Sequence, residues 1–187
     1  MSVPTTEVTG QQTAIPGLLI FNVTQVTDDR GYFQEKFQRA KLVAAGLPQD
    51  FAVVQNNISY NKQDGATRGL HAEPWEKYIS VVSGRAFCAW VDLRQGDSFG
   101  TVFYHEVNPE TTVFVPRGVA NGYQALEADV IYSYLVNDHW SAEGKYQSLN
   151  MFDPVLQIPW PITKEQSVIS EKDLANPLLA DITPMEF

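Results

Sequence analysis

Arg68, His71 and Lys77 lie within the ten residues Arg-Gly-Leu-His-Ala-Glu-Pro-Trp-Glu-Lys (68–77), which bring a guanidinium, an imidazole and an ammonium together. His71 is one of only three histidines in the chain. An imidazole titrates at ~6.5 and so can act as a general base near neutral pH. A base of this kind is oriented and strengthened by a carboxylate on its other ring nitrogen, and Asp153, Glu73 and Asp92 are candidates. Lys77 can steady negative charge developing on an oxygen, and a phenol such as Tyr134 can return a proton from the opposite side. The same residues have plainer readings. A lone histidine also occurs as a satisfied structural group, and Tyr132 and Tyr134 also serve as core residues.

These side chains need rigid supports. The apolar and amide-rich run Phe51 to Ser59 and the β-branched run Tyr78 to Val82, closed by Ser83-Gly84, read as strands that place the charged segment at strand ends or in a connecting loop. Earlier strands are expected at Gly17 to Val26 and Tyr32 to Phe37, separated by the turn signal Asp28-Asp29-Arg30-Gly31, with Phe33 and Glu35 on one face of the second. Arg39 to Leu47 is the best short-helix candidate. Beyond Phe51 the turn signals recur at roughly ten-residue spacing, which points to an antiparallel sandwich or barrel. Tyr132 and Tyr134 then share one face of a strand, and Ser170-Glu171-Lys172-Asp173 can cap a short terminal helix.

The 187 residues suffice for one core, and we expect one domain over 1–187 with an N-terminal arm (1–16) and a C-terminal tail (162–187). With 22 acidic against 13 basic residues and a net charge of −9, nucleic acid is excluded as a general partner. Cys88 is the only cysteine and stands in an apolar run, so it reads as a small buried hydrophobe. The start of the chain has no secretion signal, and no apolar run approaches the ~20 residues of a membrane helix, so a cytoplasmic protein without a membrane partner is expected. A metal-binding histidine pair would need a second histidine at 73, which is Glu73. The later ligand position is Asn121, and His105 and His139 lie far from both, so no metal is expected.

Several motifs occur together in one order: Arg30-Gly31-Tyr32-Phe33-Gln34-Glu35, Val54-Gln55-Asn56-Asn57-Ile58-Ser59, Arg68-Gly69-Leu70-His71, Val91-Asp92-Leu93-Arg94, Pro116 to Tyr123, Asp153-Pro154 through Trp160-Pro161, and Ile169 to Asp173. In order and spacing, over roughly residues 15 to 180, they resemble the dTDP-4-dehydrorhamnose 3,5-epimerases. The resemblance implies an all-β, cupin-type antiparallel β jelly roll with short flanking helices. It also implies a homodimer, no metal, no cofactor and a dTDP-sugar substrate, with a downstream 4-keto reductase as a possible partner. By the same resemblance His71 is the base, Asp153 its paired carboxylate, Lys77 the group near the keto oxygen and Tyr134 the acid across the ring. Arg30, Phe33, Glu35, Gln55, Asn57 and Arg68 match nucleotide-holding positions, the first three on strands exchanged between subunits. A guanidinium fork suits a diphosphate, which accounts for an acidic protein binding an anion.

The chain departs from the family pattern in three ways. Asn121 replaces a histidine, the His71–Lys77 segment is a few residues short, and Leu135 and Trp140 replace a lysine and a tyrosine near Tyr134. Trp140 is then a candidate to stack on the base or sugar, and Asn121 to contact the substrate. These departures leave open a mono-epimerase acting at carbon 3 or 5 of a related nucleotide sugar, or a non-catalytic sugar-nucleotide-binding cupin.

Overall fold

The computed structural model describes residues 6–187, so the first five residues of the expected N-terminal arm lie outside the described residues. The elements in chain order are β1 (Val8–Gln12), β2 (Leu19–Val23), β3 (Val26–Asp28), β4 (Gly31–Phe33) and the helix α1 (Arg39–Ala44). They continue with β5 (Gln55–Asn61), β6 (Thr67–Ala72), β7 (Lys77–Ser83), β8 (Ala86–Asp92), β9 (Val102–Val107), β10 (Thr111–Val115), β11 (Val119–Ala125) and β12 (Val130–Val136). The short β13 (Gln147–Ser148) and the single-turn helix α2 (Glu171–Leu174) complete the set that matters for the site.

Two antiparallel sheets face each other. One runs β1-β2-β10-β7-β12-β5 and the other β13-β6-β11-β8-β9, with β3–β4 a separate hairpin. The sequence pattern dictates three hydrophobic layers. Along β7, Ile79 and Val81 point between the sheets, and along β8 so do Cys88 and Trp90, where they meet Val113, Tyr123 and Tyr132. The intervening residues are apolar as well: Tyr78 packs outward with Phe21, Phe51, Phe114 and Leu42 of α1. On the other outer face Ala89 and Val91 meet Leu149, Met151, Leu156 and Met185 from the chain after β12. The C-terminal chain is thereby a structural cover on the second sheet, since both faces of β8 must be shielded from water.

The expected β sandwich is present, with altered boundaries. The strand expected over Gly17 to Val26 is split into β2 and β3, and the strand expected to reach Phe37 ends at Phe33, where the pairing with β3 runs out. Arg30 therefore sits in the hairpin turn and Glu35 beyond the strand, so of the three residues assigned to exchanged strands only Phe33 is in one. The helix begins at Arg39 as expected but stops at Ala44, ahead of Gly46 at φ +114°. Part of the expected polar arm, Val8–Gln12, is a paired strand.

At one place the second sheet is drawn together unusually closely. A Cβ on Gly69 of β6 would lie 2.6 Å from Gly122 Cα on β11, and Gly69 has φ +108°. Only glycine accommodates both the contact and the dihedral. The β6–β11 register shifts between Asn121 and Tyr123, and Asn121 comes to lie opposite His71.

Candidate active site

The inner faces of both sheets open into a cavity of about 220 Å³ lined by Ser59, Arg68, His71, Glu73, Lys77, Asn121, Tyr123, Tyr132, Tyr134 and Asp173. It joins a wider mouth that shares His71, Glu73 and Tyr134 and adds Gln55, Asn57, Trp140 and Lys172. Most of the site residues are placed by regular structure. His71 projects inward from β6, where Leu70 and Ala72 on either side point into the outer core. Lys77 opens β7 and is 4% exposed. Tyr132 and Tyr134 share the inward face of β12 as the period-two reading predicts.

The carboxylate that meets His71 is Asp173. Its Oδ1 is 2.7 Å from His71 Nε2, and its Oδ2 accepts weakly from Gly69 N at 3.4 Å. Asp173 stands in α2, whose N-cap Ser170 accepts from Asp173 N at 3.1 Å. This corrects the sequence-based assignment of Asp153 to that role. The Asp153 carboxylate is committed elsewhere, accepting from Val155 N at 3.0 Å and from Leu179 N at 2.7 Å, where it caps the 3₁₀ turn Pro154–Leu156. The other two candidates are also engaged. Asp92 holds Arg94 through two bonds of 2.8 and 2.6 Å, and Glu73 forms an ion pair with Lys77.

Lys77 also donates to Asn121 Oδ1, and Asn121 Nδ2 reaches the Tyr132 hydroxyl at 3.5 Å. Asn121 thus acts as a neutral bridge between an ammonium and a phenol. Tyr132 is fully buried and stacked on Tyr123 with ring centroids 4.1 Å apart. Burial, then the negative charge of Glu73, raises the pKa of Tyr134 above the usual phenol value, and Arg68 opposes the rise. The Tyr134 phenol is therefore a proton donor across the neutral range. Arg68 Nε donates to the neutral Asn61 Oδ1 at 3.3 Å, and among the described residues Arg68 is in no ion pair.

Gln55 and Asn57 line the mouth from β5 and are linked to each other at 2.8 Å, while His139 Nδ1 approaches Gln55 Oε1 at 3.2 Å. Trp140 is 68% exposed at the same mouth. Leu135 packs outward against the layer under α1, so the lysine-to-leucine departure there does not reach the cavity. Arg30, Phe33 and Glu35 do not line the cavity of this chain. Arg30 pairs with Asp28 in the hairpin turn, Phe33 is 65% exposed, and Glu35 is held by Lys41 and Thr6. Sequence reasoning missed Asp173 and Lys172, although their segment had been read as a helix start.

Comparison with known proteins agrees with this architecture. The family profile of dTDP-4-dehydrorhamnose 3,5-epimerase matches residues 12–181. A protein of Streptococcus pyogenes named as an RmlC homolog is 46% identical over 178 residues, covering 92% of this chain and 89% of that one. The structure of RmlC from Streptococcus suis in complex with dTDP-D-xylose superposes with a TM-score of 0.90 at 43% identity, covering 95% of this chain and 94% of that one. RmlC from Legionella pneumophila in complex with dTDP-4-keto-L-rhamnose gives a TM-score of 0.84 at 31% identity, covering 95% of each chain. By sequence, by fold and by extent of match, this chain belongs to the dTDP-4-dehydrorhamnose 3,5-epimerase family.

Proposed function

We propose that the chain is an isomerase that inverts carbons 3 and 5 of a dTDP-4-keto-6-deoxy-hexose by acid/base proton transfer, in dTDP-rhamnose or related deoxysugar synthesis. The observation that carries this reading is the convergence in one cavity of a carboxylate-backed imidazole, a buried ammonium and a protonated phenol. The ketone at carbon 4 acidifies the hydrogens on carbons 3 and 5. With Nε2–H held by Asp173, the lone pair on Nδ1 of His71 removes one of these protons. Lys77 stabilises the enolate oxygen as charge collects there. Tyr134 delivers a proton to the opposite face, and the cycle is repeated at the second carbon once imidazolium and phenolate have been reset by exchange with solvent. Arg68, free of a carboxylate partner, is suited to the substrate diphosphate, and Gln55, Asn57, Lys172 and Trp140 to the rest of the nucleotide.

The dimer and the cellular setting belong to the same proposal. Tyr32 and Phe33 on the β3–β4 hairpin, and Ile58 and Tyr60 on the edge strand β5, are all more than half exposed, as suits a surface covered by a second copy. That copy would bring Arg30 and Phe33 to the partner's cavity mouth. Among the described residues no helix is long and apolar enough to cross a membrane. We place the enzyme in the cytoplasm, where a 4-keto reductase would consume its product. The test is incubation of the purified protein with dTDP-4-keto-6-deoxyglucose in deuterated water. Deuterium is expected at both carbons 3 and 5, and His71→Ala should abolish both. Label at one carbon would reduce the reading to a mono-epimerase, and none from folded protein would overturn it.

A further inference from the structure

Glu73 is the cavity carboxylate for which the acid/base scheme has no use. It lies in the turn between β6 and β7, four residues before Lys77, with its side chain 17% exposed. Its Oε2 is in direct ion-pair contact with Lys77 Nζ. The Lys77 ammonium is thus held from two sides, by the Glu73 carboxylate and by Asn121 Oδ1, to which it donates. Tyr134 lines both the inner cavity and its mouth alongside Glu73. The other ionisable groups that line these spaces with Tyr134 are Arg68 and His71 from β6, Lys77 from β7, and Lys172 and Asp173 from α2, with the phenols Tyr123 and Tyr132 in the inner cavity and Tyr146 at the mouth. Asp173 is engaged by His71, which leaves Glu73 as the carboxylate set against the cations on the phenol's side.

We propose that Glu73 is a positioning residue that acts through two others: it fixes the Lys77 ammonium where the enolate oxygen forms, and it sets a negative charge in the cavity it shares with the proton donor Tyr134. The inference rests on the epimerase reading for the roles of Lys77 and Tyr134, although its physical content can be measured without turnover. An ammonium anchored only by the neutral Asn121 has more freedom, and misplacement by about 1 Å costs up to ~100-fold in rate. Removing a negative charge beside a phenol makes its ionisation easier. The raised proton affinity of Tyr134, caused by burial and then by Glu73, agrees with this arrangement.

The test compares Glu73→Gln with wild type and with Glu73→Asp. In the substrate-free protein carrying ¹³Cζ-labelled tyrosine, with Tyr134→Phe used to assign the resonance, Glu73→Gln should shift the midpoint of Tyr134 ionisation to lower pH. Glu73→Asp should restore most of it. In the exchange assay Glu73→Gln should lower kcat about 10- to 100-fold, leave KM within about threefold, and move the basic limb of the pH profile to lower pH. An unmoved Tyr134 titration in a folded Glu73→Gln protein would overturn the proposal, as would a wild-type kcat and basic limb. Failure of wild type itself to exchange would strike at the epimerase reading, and the substrate-free titration would still decide the role of Glu73.

Discussion

Replacing Asp173 by asparagine preserves the volume of the side chain and removes the charge that faces His71. The contact is 2.7 Å long, with the Asp173 side chain 9% and the His71 side chain 40% exposed. A hydrogen bond to an ionised group contributes about 1.5–3 kcal/mol, roughly twice a neutral one. The half-open imidazole calls for the lower part of that range, because water screens the charge that develops there. A loss of about 1.5–2 kcal/mol in imidazolium stabilisation corresponds to a roughly 10- to 30-fold fall in exchange rate. Folding should change little, since asparagine retains an oxygen for Gly69 N. Asp153→Asn is the informative partner. It loses one of two acceptors used by Val155 N and Leu179 N, so it should cost about 1–2 kcal/mol in stability and leave the per-molecule exchange rate unchanged. Deuterium incorporation by mass spectrometry and urea denaturation separate the two effects. Wild-type exchange in Asp173→Asn would refute the reasoning, as would a large loss of exchange in an equally stable Asp153→Asn.

Gly69→Ala should destabilise the protein by about 2–4 kcal/mol, because its Cβ would meet the Gly122 backbone at 2.6 Å and its φ is +108°. The urea midpoint should fall without a change in slope. Lys36 donates to Val81 O, and burial lowers its pKa to about 8 from 10.5. Between these values the unfolded chain binds more protons than the native one, so this group adds stability as pH rises from about 8 to 10.5 and adds none below 8. Lys36→Met should flatten that rise in a series of denaturation curves.

The sandwich was legible because turn residues recur at regular intervals and because β12 alternates cleanly; Tyr132 and Tyr134 fall on the inward face as read. Strand ends were less legible where local pattern and tertiary packing conflict. Phe51 is apolar enough to begin β5, yet it is buried in the layer under α1, and the strand starts only at Gln55. The Arg68–Lys77 segment was recognisable from its residue types. The partner of His71 was not, because Asp173 lies 102 residues away and its local signal is that of a helix start. Glu73 was considered for the wrong cation. Proximity in sequence suggested His71, whereas the turn into β7 delivers it to Lys77. The hydrogen-bond capacity of Asp153 was spent on a 3₁₀ turn that only the packed C-terminal cover reveals.

The late arrival of Asp173 has a consequence for biosynthesis. A ribosome makes Asp173 102 residues after His71, so the base meets its carboxylate only once the segment carrying α2 has been made and packed on the second sheet. The same stretch of chain shields the outer face of β8, so covering the second sheet and completing the base belong to one packing event. Loss of that packing and loss of the carboxylate from His71 should therefore occur together.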